Sequence, residues 1–175
     1  MNRKYRNFVS SALITALVFV LNTTINSQEK FAPEVLNETD AARIVPSSFY
    51  FAGQSAPTQI RNSAVARIGK DRHIIAGLVD TSGYSTEISG KYEGFLITDS
   101  PVNIGGRQLG TGAYGFGFSI DGKLHIFDLS SKEIMVVETK NDAEMKRPRP
   151  LMMIVAPNGV RFYKGKNYAL ITKVK

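Results

Sequence analysis

Residues 92–129 read YEGFLITDSPVNIGGRQLGTGAYGFGFSIDGKLHIFDL, and this stretch decides the fold. Across residues 113–120 the side chains alternate strictly. Tyr114, Phe116, Phe118 and Ile120 fall on one side, and Ala113, Gly115, Gly117 and Ser119 on the other. A strand points successive side chains to opposite faces, so this period of two predicts a strand with one bulky apolar face and one nearly bare face. Asp121-Gly122 follows at once and predicts a two-residue hairpin turn of type I′, which needs positive φ at both central positions. Residues 123–129 then return as the partner strand. On the other side, residues 93–98 form a further strand that Ser100-Pro101 interrupts, and Gly105-Gly106 makes a turn. The stretch therefore predicts three strands and two turns in an antiparallel meander.

The glycines admit sharper readings. Gly110-Thr111-Gly112-Ala113-Tyr114-Gly115 matches the G-x-G-x-x-G spacing of dinucleotide sites. That motif works by opening a helix whose N-terminal amides hold a pyrophosphate, whereas the residues here run on into a hairpin. Gly105 and Gly110 have P-loop spacing, but Thr111 stands where the phosphate-binding lysine is required. The bare face is better explained by sheet coiling or by close approach of another backbone. A ligand lying against Gly115 and Gly117 is the third reading.

Outward from this centre, the chain of 175 residues reads as one domain behind an export segment. Arg3, Lys4 and Arg6 precede an apolar run at residues 8–21 and a polar stretch at 22–27, the three parts of a secretory signal, with cleavage expected after Ser27. The apolar run is short against the ~20 residues a spanning helix needs, and nothing later predicts a membrane span. With no cysteine, the chain has no lipid-modified cysteine, disulfide or thiolate metal site. The formal net charge is +7, but three positive charges and no acids fall within residues 1–27. The remaining lysines and arginines are scattered among acids, which argues against nucleic acid as a partner.

Residues 28–46 read as a linker or short helix ended by Pro46. The β domain spans residues 47–175. A strand at 48–52 is followed by a hairpin of 64–68 with 73–80. Residues 80–92 form the longest polar connection, where Ser85 caps a short helix carrying Ile88 and Gly90 ends it. After the centre come a strand at 133–139, a charged loop at 140–150, and the run LMMIVA at 151–156, read as a strand buried on both faces. Strands at 160–163 and 168–174 close the domain, the last with Tyr168, Leu170, Thr172 and Val174 on one face. Eight or nine short strands joined by Gly, Asp, Asn and Pro turns predict an all-β fold, a single antiparallel β-sandwich or a small β-barrel of about eight strands.

Chemistry is sparse. His73 and His125 lie in expected strands without zinc-ligand spacing, His125 sharing a face with Phe127 and Leu129 as a packed or rim residue. No calcium loop or G-x-S-x-G elbow is present, although a serine–histidine–acid triad can assemble from separate parts of a chain. Asp80, Glu87, Glu93, Asp99 and Asp128 are the acids available for a carboxylate-pair glycan hydrolase. No metal or cofactor is called for, and a non-enzymatic domain is favoured over an enzyme.

The run V-N-I-G-G-R-Q-L-G-T-G-A-Y beginning at Val102 resembles a hairpin element of small exported bacterial β-proteins of unknown function, in which I-G-G-x-x-L-x-x-G-x-Y precedes an aromatic strand. Gly105, Gly106, Leu109, Gly112 and Tyr114 carry the match. The resemblance implies export and an all-β fold and transfers no catalytic residue. Together these readings predict an extracytoplasmic β-domain, periplasmic or secreted, that binds a small ligand or an envelope protein or polymer. The side chains expected to bind are Tyr84 and Tyr92 beside the 80–92 loop, Arg147 and Arg149 on the stiff Arg-Pro-Arg-Pro segment, and the bare face at Gly115 and Gly117. A structural or interaction module of the envelope is the alternative.

Overall fold

A computed structural model describes residues 32–174; the expected signal segment at 1–27 lies outside the described residues. In chain order the first elements are β1 (Glu34–Val35), α1 (Glu38–Ile44), β2 (Ser48–Phe51), β3 (Gln54–Gly69), β4 (Arg72–Val79) and α2 (Thr86–Ser89). The central stretch supplies β5 (Gly94–Thr98), β6 (Val102–Ile104), β7 (Arg107–Leu109), β8 (Gly112–Phe118) and β9 (Lys123–Phe127). The remainder forms β10 (Glu133–Glu138), β11 (Lys140–Asn141), β12 (Met152–Ala156), β13 (Gly159–Lys164) and β14 (Asn167–Lys173).

These strands build two antiparallel sheets. The first runs β1-β3-β4-β5-β8-β9-β10, with β2 also paired to β3; the second runs β12-β13-β14-β6-β7, with β11 also paired to β14. The all-β expectation holds as a sandwich-like pair of sheets, and they do not close into a barrel.

The three strands of the central meander do lie side by side: Phe95 pairs with Gly115, and Gly115 with Phe127. The expected single turn between the first two is instead a whole hairpin, β6–β7, which leaves the first sheet and joins the second through Ile104 opposite Ile171. The turn at Asp121-Gly122 also differs from type I′. Only Gly122 has positive φ (79°), the Gly122 amide donates to the Ser119 carbonyl, and the Ser119 amide donates to the Lys123 carbonyl. This is a three-residue loop with glycine in the left-handed position. It turns Ile120 fully into solvent, away from the face it was expected to share with Phe116.

Alternation along the first sheet fills two cores. Toward the second sheet, Leu96, Phe116, Leu124 and Ile126 pack with Ile104, Phe162 and Ile171. On the other face, Val65, Phe95 and Phe127 pack with Phe49 and Phe51 of β2, Tyr92, and Ala41 and Val45 at α1. Asn37 caps α1 by accepting the Asp40 amide at 3.0 Å, and Glu38 and Asp40 in the first turn suit the positive end of the helix. The residues read as linker or helix thus contain both that helix and β1, paired to β3. The α2 turn follows the expected pattern, with Ser85 accepting the Ile88 amide and Gly90 at the C-terminal end.

Two further expectations change, and a third gains its direction. β3 is 16 residues long, because its polar first half, including Pro57, pairs with β2 before a register shift hands its second half to β4. β12 is an end strand of its sheet, with Ile154 and Val155 exposed; a continuous apolar run fits an edge as well as a doubly buried strand. In β14 it is Ala169 and Ile171 that enter the core, leaving Tyr168, Leu170 and Thr172 on the outer face.

Candidate functional site

The binding residues expected from sequence separate into three places. Tyr92 is wholly buried and stacks on Phe51 with ring centroids 3.9 Å apart; Tyr84 meets both rings edge-on and donates its hydroxyl to the Gln54 carbonyl at 3.2 Å. Gly115 belongs to the same cluster, for a Cβ there would lie 2.3 Å from the Phe51 ring. Gly117 faces the Lys91 carbonyl, 1.9 Å from where its Cβ would stand. The bare strand face is therefore filled from within the chain, by an aromatic ring and by the end of the 80–92 connection. Gly117 serves close backbone approach, and Gly115 makes room for a ring. Arg149 donates to the Glu38 carboxylate at 2.8 Å, so its carboxylate partner comes from α1, while Arg147 stands exposed.

The five acids considered for hydrolysis are each held locally. Asp80 accepts the Ser82 amide, Glu87 pairs with Lys91, Asp99 accepts the His73 amide, and Asp128 accepts the amides of Ser130 and Lys132. Glu93 accepts the Phe118 amide at 3.0 Å and forms an ion pair with Lys164, tying the first sheet to the second.

A concavity lies elsewhere, on the outer face of the second sheet. Antiparallel pairing of Arg161 with Leu170 and of Tyr163 with Tyr168 sets these four on that face. The charged loop after β11 folds over Tyr163 and buries it; the Tyr163 hydroxyl donates to Asp142 at 2.8 Å and accepts from Arg161 at 3.3 Å. Burial is the main reason the Tyr163 phenol is pushed above its ordinary range. Arg161 lies 4.8 Å from the centre of the Tyr168 ring, within reach of a cation–π contact, with Asp142 3.6 Å away. Beside this cluster opens a groove of about 650 Å³, floored by Tyr168, Leu170 and Thr172. Its walls are the Gly105-Gly106 turn, the Ala156-Pro157-Asn158 turn, and Glu138 with Lys140. An apolar floor, an aromatic edge and a few convergent polar groups are what a small-ligand site requires. Among the described residues no three His, Asp or Glu side chains gather as metal ligands would.

A smaller pocket of about 220 Å³ sits on the first sheet, lined by Gly90, Lys91, Phe118, Ser119, His125, Phe127 and Glu133. The His125 side chain is about a quarter exposed, its ring nearly parallel to that of Phe127 with centroids 6.4 Å apart.

No family model matches the chain, and neither a curated protein nor a solved structure matches it significantly. Alternation in sequence groups the groove residues of β14 on one face without saying which face turns inward. Tyr168, Leu170 and Thr172 are correctly one face, but only the smaller Ala169 with Ile171 fits the space between the sheets.

Proposed function

We propose that this is an exported binding module whose ligand occupies the groove over Tyr168, Leu170 and Thr172. The observation that carries the reading is the groove itself: its volume falls in the range of about 300–1,000 Å³ typical of small-molecule sites. The ligand class that suits it has an apolar body for Leu170 and the Tyr168 edge, and one anionic or hydrogen-bonding group for Arg161, Lys140 and Asn158. Export is supported by the three-part N-terminal pattern and by the resemblance of the Gly105–Tyr114 run.

Native mass spectrometry on protein purified from its own host's extracytoplasmic fraction tests this. A reproducible added mass that disappears on denaturation, and is lost in Leu170→Trp, is the expected result. An added mass retained in Leu170→Trp would place the ligand outside the groove and end the proposal. The same intact mass reports whether residues 1–27 have been removed.

A further inference from the structure

On the first sheet, three residues within 15 positions of one another converge through strand pairing. Gly117 pairs with His125 and Phe118 with Leu124, so Ser119, just beyond the end of β8, comes next to the imidazole. Ser119 Oγ lies 3.1 Å from His125 Nε2, and His125 Nδ1 lies 2.6 Å from Glu133 Oε2. Glu133 opposes Phe127, and a register shift between Glu133 and Met135 marks a bulge, a device that re-aims a side chain. The turn leading into Glu133 is held by Asp128, which accepts from Ser130 and Lys132. The pocket of about 220 Å³ opens onto all three groups, walled by Phe118 and Phe127. The Lys91 ammonium stands 5.8 Å from the Phe127 ring centre.

We propose that Ser119, His125 and Glu133 form a serine esterase centre for short acyl esters. This site is separate from the groove and does not rest on the binding reading. Hydroxyl to imidazole Nε2, and imidazole Nδ1 to carboxylate, is the connectivity by which a serine is activated. Ser119 Oγ attacks the ester carbonyl carbon as its proton passes to His125 Nε2. The C–O bond to the alcohol then breaks, and the alcohol leaves with that proton. Water, its proton taken by the same nitrogen, attacks the acyl-serine; the Oγ–C bond breaks, the acid departs and Ser119 recovers its hydrogen. Ser119 and His125 are the catalytic residues; Glu133 is a positioning residue that fixes the Nδ1–H tautomer. The pocket is smaller than a drug-sized site, which restricts the acyl group to a few carbons. The amide of Ile120, next after the nucleophile, makes no hydrogen bond among the described residues, though Ile120 itself does not line the pocket. The hydroxyl has rivals for its proton in Asp121 and the Lys123 carbonyl, so it must turn toward His125 to react.

The test is covalent labelling of the full chain with an alkyl fluorophosphonate, the adduct being mapped by peptide mass spectrometry. The expected adduct is on Ser119, is absent after unfolding in urea, and is absent in His125→Gln with an unchanged melting curve. Hydrolysis of 4-nitrophenyl acetate should exceed that of the octanoate and fall by about 100-fold or more in Ser119→Ala. Glu133→Gln should lower kcat with KM unchanged, a split that mere loosening of the hairpin would not produce. Absence of a Ser119 adduct in the folded wild-type chain overturns the proposal, whatever the variants do. So does equal labelling of Ser119 in folded and unfolded protein.

Discussion

Replacing Tyr92 with phenylalanine should stabilise the protein. The Tyr92 ring is wholly buried between Phe51, stacked at 3.9 Å, and Tyr84, edge-on at 5.4 Å. Its hydroxyl is buried without a hydrogen-bond partner, the nearby Tyr84 hydroxyl donating instead to Gln54. The phenylalanine ring keeps the stacking area and removes a dehydrated polar group, whose burial costs about 1–3 kcal/mol. Allowing for a small void where the oxygen was, a gain of about 1–2 kcal/mol is expected, or a rise in Tm of roughly 3–8 °C for a domain of this size. Alkali provides a second readout. Burial, with the neighbouring Tyr84 phenol, pushes the Tyr92 phenol far above its ordinary value of 10.0. The folded state then holds this proton more tightly than the unfolded chain, so the wild type loses stability as pH rises past 10.0 toward the folded value. The variant lacks that loss, and its advantage should widen between about pH 8 and about pH 11. Thermal melts at both pH values measure it. A variant less stable than wild type by about 1 kcal/mol at neutral pH would mean that the hydroxyl is bonded, and the argument fails.

Three other outcomes are expected. Gly117→Ala should destabilise by about 3 kcal/mol or more, since its Cβ meets a backbone carbonyl that cannot move aside, whereas Gly110→Ala should be nearly neutral in the same urea titration, its nearest neighbour being 3.7 Å away. Glu93→Ala should cost about 2 kcal/mol, because it leaves the Phe118 amide and the Lys164 ammonium without their shared acceptor; parity with wild type in chemical denaturation would refute the tie between sheets. Asp128 is held below its ordinary value of 3.8, chiefly by the Ser130 hydroxyl, so its contribution is present above that value and lost as pH falls through the lower folded one. Asp128→Asn should therefore flatten the acid limb of a Tm-against-pH profile, and an unchanged limb would exclude the turn as its source.

What the sequence disclosed was local. Alternation along residues 113–119 placed the strand and its faces, and Ser85 with Gly90 placed a four-residue helix, because each signal is spent within one or two turns of chain. What it concealed depends on partners far away. Nothing in V-N-I-G-G-R-Q-L says that this hairpin should leave its neighbours for β14, nor does LMMIVA say that one flank of its strand is free. The groove needed the inner and outer faces of β14 told apart, which volume decides only once the opposing sheet is known. Tyr84, Tyr92, Arg147 and Arg149 stand out in the sequence by residue type alone, and the structure gives three of them partners inside the chain. The Ser119–His125–Glu133 convergence was nearer the surface of the text. In the sequence Ser119 falls on the glycine face and His125 on the strand across the turn, and the three-residue loop, by pairing Gly117 with His125, joins them.

The hairpin β6–β7 has a consequence for how the chain assembles. It lies between neighbouring strands of the first sheet, yet it pairs with β14, from Ile104 to Ile171. The second sheet therefore cannot be completed until the C-terminal strand has left the ribosome, and until then β6 keeps one unpaired edge. Contacts so distant in sequence slow folding. Detaching β14 would reopen that edge of β6 while the first sheet keeps its own β5–β8–β9 pairs.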